Sequence, residues 1–142
     1  LYLERGIKPE VEIFDAGMLG IADYFAKQGH LSTPCHYQLC LGVRGGMPAT
    51  VENLVYLVRH LPENATWSAF GVGKSHLPIL YAALALGGHI RVGLEDNVYL
   101  SKGVPATNVQ LVERAVQAVR TFGKQPATPA QAREILGLKP LK

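Results

Sequence analysis

The chain has 142 residues, 48% of them hydrophobic and only 18% charged, with a formal net charge of +3. That is enough for one domain with a substantial core, and the low charge suits much buried sheet or large subunit contacts. The basic residues form no stripe, which excludes an ordinary nucleic-acid binder, and no apolar run or secretory signal marks a membrane or export, so a cytoplasmic protein is expected.

The sequence opens at Leu1 in helix-like text (LYLERGIKPE) with no capping signal before it, and reads as though it starts in mid-protein. Val11 to Asp15 (VEIFD) is the first expected strand, with Glu12 or Asp15 facing functional space and Asp15 equally suited to cap a helix. Met18 to Gln28 follows as a helix, apolar at Met18, Leu19, Ala22, Phe25 and Ala26. Cys35 and Cys40 fit neither a CxxC zinc pattern nor a disulfide framework, so both are expected to be reduced and buried. Tyr37 to Val43 (YQLCLGV) is the second strand and Val51 to His60 the second helix. Thr66 to Val72 (TWSAFGV) is the third strand, and Leu77 to Leu86, apolar nearly all round, is a helix wedged between sheet and neighbour. His89 to Leu94 (HIRVGL) is the fourth strand. Thr107 and Gln110 form a capping box for a helix with Leu111, Val112, Ala115, Val116, Val119 and Phe122 on one face; Thr128, Pro129 and Gln131 open a short helix to Leu136.

Short apolar strands, each followed by a loop and a helix, indicate a parallel α/β sheet covered on both faces. Four such units make either a small open sheet or half of a (β/α)8 TIM barrel, which needs ~250 residues. The mid-protein start favours the last four βα units of a barrel, with 1–142 as the carboxyl-terminal half of one catalytic domain.

Chemistry concentrates in GGHIRVGLEDN, Gly87 to Asn97. A cation in a buried strand needs a partner, and Glu95 and Asp96 are the nearest. On an extended strand Arg91, Gly93 and Glu95 share a face, leaving room above the glycine for a ligand. Glu95 is a candidate metal ligand, since its hard oxygen suits zinc or magnesium. Asp96 paired with Arg91 is a candidate base, and a plain ion pair pinning the strand end is as good a reading. In GVRGGMPAT, Gly45, Gly46 and Met47 let backbone amides approach an anion or carbonyl; in GVGKSHLP, Gly71, Gly73 and Lys74 are candidates for a phosphate, without the spacing of a nucleotide P-loop. His30, His36, His60, His76 and His89 show no HxH or HExxH spacing and read as structural, His76 in its glycine-rich loop being the most open to a role.

The texts EIFDAGM, LGVRGGMPAT, WSAFGVGK-x-x-LP and GGHIRVGLEDNVYLSKG, with the ATN-x-x-LVERA helix, resemble the carboxyl-terminal half of the β-keto acid cleavage enzyme family, from about Gly6 to Leu138. The resemblance implies a TIM barrel about twice this length, with Glu95 as one ligand of a divalent metal, usually zinc, and two histidines of an HxH motif supplied by the absent half. It implies that Arg91 and Asp96 act as a dyad that generates an enolate, one Asp96 oxygen remaining open toward the metal. The implied reaction converts a β-keto acid and acetyl-CoA to acetoacetate and a new acyl-CoA, in a homo-oligomer that could be a tetramer. Lys74 stands where the family usually has arginine, and Arg44 where it commonly has proline. The rival readings are a CoA-independent metal-dependent aldolase or decarboxylase on the same barrel, and a non-catalytic half-barrel.

Overall fold

The computed structural model describes residues 1–139. Four strands, β1 (Glu10–Ile13), β2 (His36–Leu41), β3 (Thr66–Gly71) and β4 (His89–Ile90), form one all-parallel sheet in sequential order. They alternate with α1 (Ala16–Lys27), α2 (Val51–Arg59) and α3 (His76–Ala85). A hairpin of β5 (Tyr99–Ser101) and β6 (Val104–Pro105) precedes α4 (Asn108–Thr121) and α5 (Pro129–Ile135). Sequential parallel strands joined by helices are the pattern of a partial (β/α)8 barrel.

Alternation along each strand splits the residues into two faces. Ile13, Tyr37, Leu39, Leu41 and Ala69 point toward the helices and meet Leu54, Leu57, Ile79 and Ala83 in the main core. Leu39, Leu54, Leu57 and Ile79 are fully buried, each worth about 1.5–3 kcal/mol against exposure. A second cluster joins α3 to α4 through Leu80, Leu84, Ala115 and Ala118. The all-round apolar text of α3 follows from this position between two cores.

The helix starts are those the residue types demand. Asp15 accepts from the Gly17 amide, and Thr50 from Asn53. Thr107 with Gln110 and Thr128 with Gln131 form complete capping boxes.

Two expectations need correction. The opening text does not form a helix: residues 2–6 are turns, with Gly6 in the left-handed region (φ 64°) and Pro9 close behind. The fourth strand ends at Ile90 rather than Leu94, because the chain turns away from the ladder. Asp96 and Asn97 donate their amides to the Gly93 carbonyl, and the Leu94 amide goes to the Asn108 side chain. The β5–β6 hairpin was not expected; Lys102-Gly103, with Gly103 at φ 77°, between two short apolar runs is the signal that marks it.

At the start of β4 the backbone lies directly on an indole. A Cβ on Gly88 would collide with the Trp67 ring, closer than any side chain allows.

Candidate active site

The opposite face of the sheet is polar at its amino-terminal end. Ser68 donates to Gln38 (2.7 Å), and the His36 ring sits between Thr66 (2.9 Å from Nδ1) and Ser68 (3.1 Å from Nε2). Ser68 spends its proton on Gln38, so His36 Nε2–H donates to Ser68 while Nδ1 accepts from Thr66. The neutral ring satisfies both partners. Glu10 stands 3.6 Å away, too far for a hydrogen bond. Burial, with the nearby His89 and Lys8 charges next, lowers the His36 pKa to about 4. Unfolded His36 therefore takes up its proton first as pH falls through 6.5, and the folded state loses stability from there down to about pH 4. The loss is on the order of 2–3 kcal/mol. Urea melts at pH 7 and pH 4 measure it, and a His36→Gln protein with the same pH slope as the parent would refute the assignment.

A cleft of about 510 Å³ runs along this face, lined by Gln38, Ser68, His89 and Arg91 and bounded by Ala132 and Ile135 of the α5 region. The Gln38 side-chain nitrogen is buried there without a hydrogen-bond partner among the described residues.

The carboxyl-terminal end carries the charges. Just past β4, Arg91 grips Asp96 with two bonds, Nε to Oδ2 at 3.0 Å and Nη2 to Oδ1 at 3.1 Å. Nη2 also meets Glu95 at 2.9 Å, and Nη1 reaches Glu12 of β1 at 3.3 Å. The guanidinium lies over the Phe70 ring, 4.5 Å from its centre. A cation on an aromatic face with a forked carboxylate is a strongly oriented arrangement. The Asp96 hydrogen bond raises the Arg91 pKa above its ordinary value, with burial opposing. Side chains stand nearly perpendicular to a sheet, so a contact between β4 and β1 across two intervening strands makes this face concave.

Arg91 pairs with Asp96 and Glu95 as expected from the sequence, and Glu12 joins them while Asp15 caps α1. The arginine takes both Asp96 oxygens; neither is left free of it. Asp96 is 9% exposed and the Glu95 side chain 83%. Glu95 Oε2 faces Arg91, while Oε1 makes no hydrogen bond among the described residues.

The glycine loops lie at the same end, but most of their candidate amides are already committed. Gly46 donates to Val43, Met47 to Phe14 and Gly73 to Asp96. A Cβ on Gly46 would fall 2.6 Å from the Phe14 carbonyl oxygen, and one on Gly71 2.7 Å from that of Ser75. These two glycines are required by close backbone packing. Gly45, at φ 91° with open space beside it, and the exposed Lys74 remain available to a ligand.

Cys35 and Cys40 are free and buried. Burial, with Glu12 next, pushes the Cys40 thiol up to about 12, which removes it as a nucleophile. Phe70 is a site residue that the sequence alone does not mark. Phe70 could have been found from its two-residue spacing to Ser68 on the inner face.

The beta-keto acid cleavage enzyme family matches residues 1–138 of this sequence. The chain belongs to that family. It is 44% identical over 137 residues to the 3-keto-5-aminohexanoate cleavage enzyme of Acetoanaerobium sticklandii, covering 96% of this chain and 50% of that protein. It is 41% identical to the 3-dehydrocarnitine:acetyl-CoA trimethylamine transferase of Rhizobium meliloti, with 94% of this chain and 44% of that protein covered. The chain thus spans about half the length of the curated relatives it matches. In fold it is similar to ObcA in a binary complex with oxaloacetate, at 21% identity and a TM-score of 0.77, covering 96% of this chain and 39% of that one. For this member of the β-keto acid cleavage enzyme family, no helix among the described residues is long and apolar enough to cross a membrane.

A divalent metal is what the family resemblance implies. Among the described residues no three His, Cys, Asp or Glu side chains gather into a metal site. Glu95 fits as a single donor, with a hard, exposed oxygen at the mouth of the concave face.

Proposed function

We propose that this chain supplies half of an enzyme in which a β-keto acid and acetyl-CoA yield acetoacetate and a new acyl-CoA. The observation that carries the reading is the Arg91–Asp96 fork at the carboxyl end of the parallel sheet, with Glu95 beside it, in a chain of this family. Active sites of such barrels lie at that end.

Arg91 holds the Asp96 carboxylate in one orientation, and Asp96 takes a proton from the carbon next to the keto group. Phe70 below and Glu12 to the side stop the guanidinium from turning away. Glu95 supplies one ligand to a divalent metal, and donors from outside this segment complete the set. That metal, when bound, supplies Lewis-acid polarisation of the keto oxygen. The substrate carbanion then attacks the acetyl thioester and expels CoA as its thiolate; the thiolate adds to the original keto carbon. Cleavage of the bond from that carbon to its α-carbon frees the new acyl-CoA, and protonation of the α-carbon gives acetoacetate. Lys74 and the Gly45 turn receive anionic groups of CoA or substrate. Lys74 offers a point charge rather than a fork.

The remaining strands of the barrel are the required partner, since β1 and β4 are sheet edges with unpaired backbone groups. Exposed Ile21, Tyr24 and Phe25 on α1 fit burial in a homo-oligomer. A cytoplasmic enzyme is the reading that the free, buried Cys35 and Cys40 support.

The test is an assay of the complete protein with a series of β-keto acids, with and without acetyl-CoA and with a chelator. Acetoacetate formed only when acetyl-CoA and metal are both present is the expected result. Turnover without acetyl-CoA would replace this reading with an aldolase or decarboxylase.

A further inference from the structure

The Asp96 turn is held from two sides, and only one of them is Arg91. Its backbone carbonyl accepts from the Gly73 amide at 2.9 Å. The Gly73 carbonyl in turn lies 2.7 Å from His76 Nδ1. His76 Nε2 lies 2.9 Å from Nη2 of Arg114 on α4, and Nη1 of the same arginine donates to the Leu100 carbonyl in β5. A carbonyl can only accept and a guanidinium can only donate. The ring must therefore be a donor at Nδ1 and an acceptor at Nε2, which is the neutral Nδ1–H tautomer.

This relay joins five pieces of chain that share no common ladder. It runs from α4 and the β5–β6 hairpin, through the first residue of α3, to the Gly73–Ser75 turn that carries Lys74, and ends on the peptide of Asp96. Neither His76 nor Arg114 touches the Arg91–Asp96 fork itself.

We propose that His76 and Arg114 are positioning residues, which lock the Lys74 loop to the backbone of Asp96 and so set where its carboxylate is presented. The proposal rests on Asp96 as the base. Arg91 fixes the direction of the carboxylate, and the relay fixes the origin from which it extends. A backbone shift of about 1 Å at such a group is enough to cost on the order of a hundredfold in rate.

The first measurement is independent of activity. In the complete protein, nitrogen-15 shifts of His76 should show the Nδ1–H tautomer, and the Gly73 amide should be protected from exchange. In an Arg114→Ala protein the tautomer preference and the protection should both fall. A His76 ring protonated at Nε2 in the parent, or a Gly73 amide unaffected by the substitution, overturns the relay. The second is kinetic: Arg114→Ala should lower kcat by about tenfold to a hundredfold per folded molecule, with KM for the keto acid moving less than about threefold. Millimolar methylguanidine should restore part of the kcat. A variant that loses only folded protein, keeps its kcat and ignores the added guanidinium would make Arg114 a structural staple and overturn the positioning role. If the parent shows no β-keto acid cleavage, the functional reading fails while the tautomer and exchange results still judge the relay.

Discussion

Replacing Asp96 with asparagine in the complete protein should lower kcat by about a hundredfold to ten-thousandfold while KM stays nearly constant. The two side chains have the same shape, and asparagine can still accept one bond from Arg91, so the substrate meets an almost unchanged surface. What is lost is a group that can take a proton. The loss should fall on the chemical step and appear in kcat and kcat/KM alike. Exchange of the substrate's α-hydrogen with solvent deuterium, followed without acetyl-CoA, should slow by a similar factor. An Asp96→Asn protein that keeps most of its turnover would leave the pair as a clamp and remove Asp96 from the mechanism.

Replacing Arg91 with methionine should cost about 3 kcal/mol of stability, read from urea unfolding at neutral pH. The side chain is 28% exposed and Asp96 only 9%, so water compensates little for the lost fork. Glu12, Glu95 and Asp96, all within 3.3 Å of that guanidinium, would then face one another around an uncharged side chain. Lysine at this position restores the charge but not the two-pronged geometry, and should recover only part of the loss. A methionine variant within about 0.5 kcal/mol of the parent would show that the cluster is a surface arrangement with little net strength.

The four strands and five helices were legible because parallel strands are short apolar runs and because the caps are written in side chains such as Thr107 and Thr128. The end of β4 was not. The run HIRVGL has strand composition throughout, and what stops the ladder after Ile90 is the Gly93 turn and the Asn108 side chain, a partner fourteen residues on. Within the site, Arg91, Glu95 and Asp96 were readable because they are neighbours in sequence and a cation there demands a counter-charge. Glu12 joins from 79 residues away, and pairing at that distance depends on sheet curvature, which no local pattern encodes. Arg114 was hidden for the same reason, its nearest charged text being an ordinary helix surface. The polar inner face was half visible: Gln38 and Cys40 alternate with Leu39 and Leu41, but a strand covered on both sides reads as uniformly buried.

The contact between Gly88 and Trp67 gives this 142-residue segment its own optical probe. Trp67 is the single tryptophan of the sequence, and its ring lies against the backbone where β4 begins, three residues before Arg91. Indole emission depends on what lies on the ring, so fluorescence reports whether this edge strand of the parallel sheet is seated. Stopped-flow emission during refolding would therefore time the docking of β4, while circular dichroism follows the helices. The strand that brings in the arginine thus carries a built-in clock for the assembly of the site.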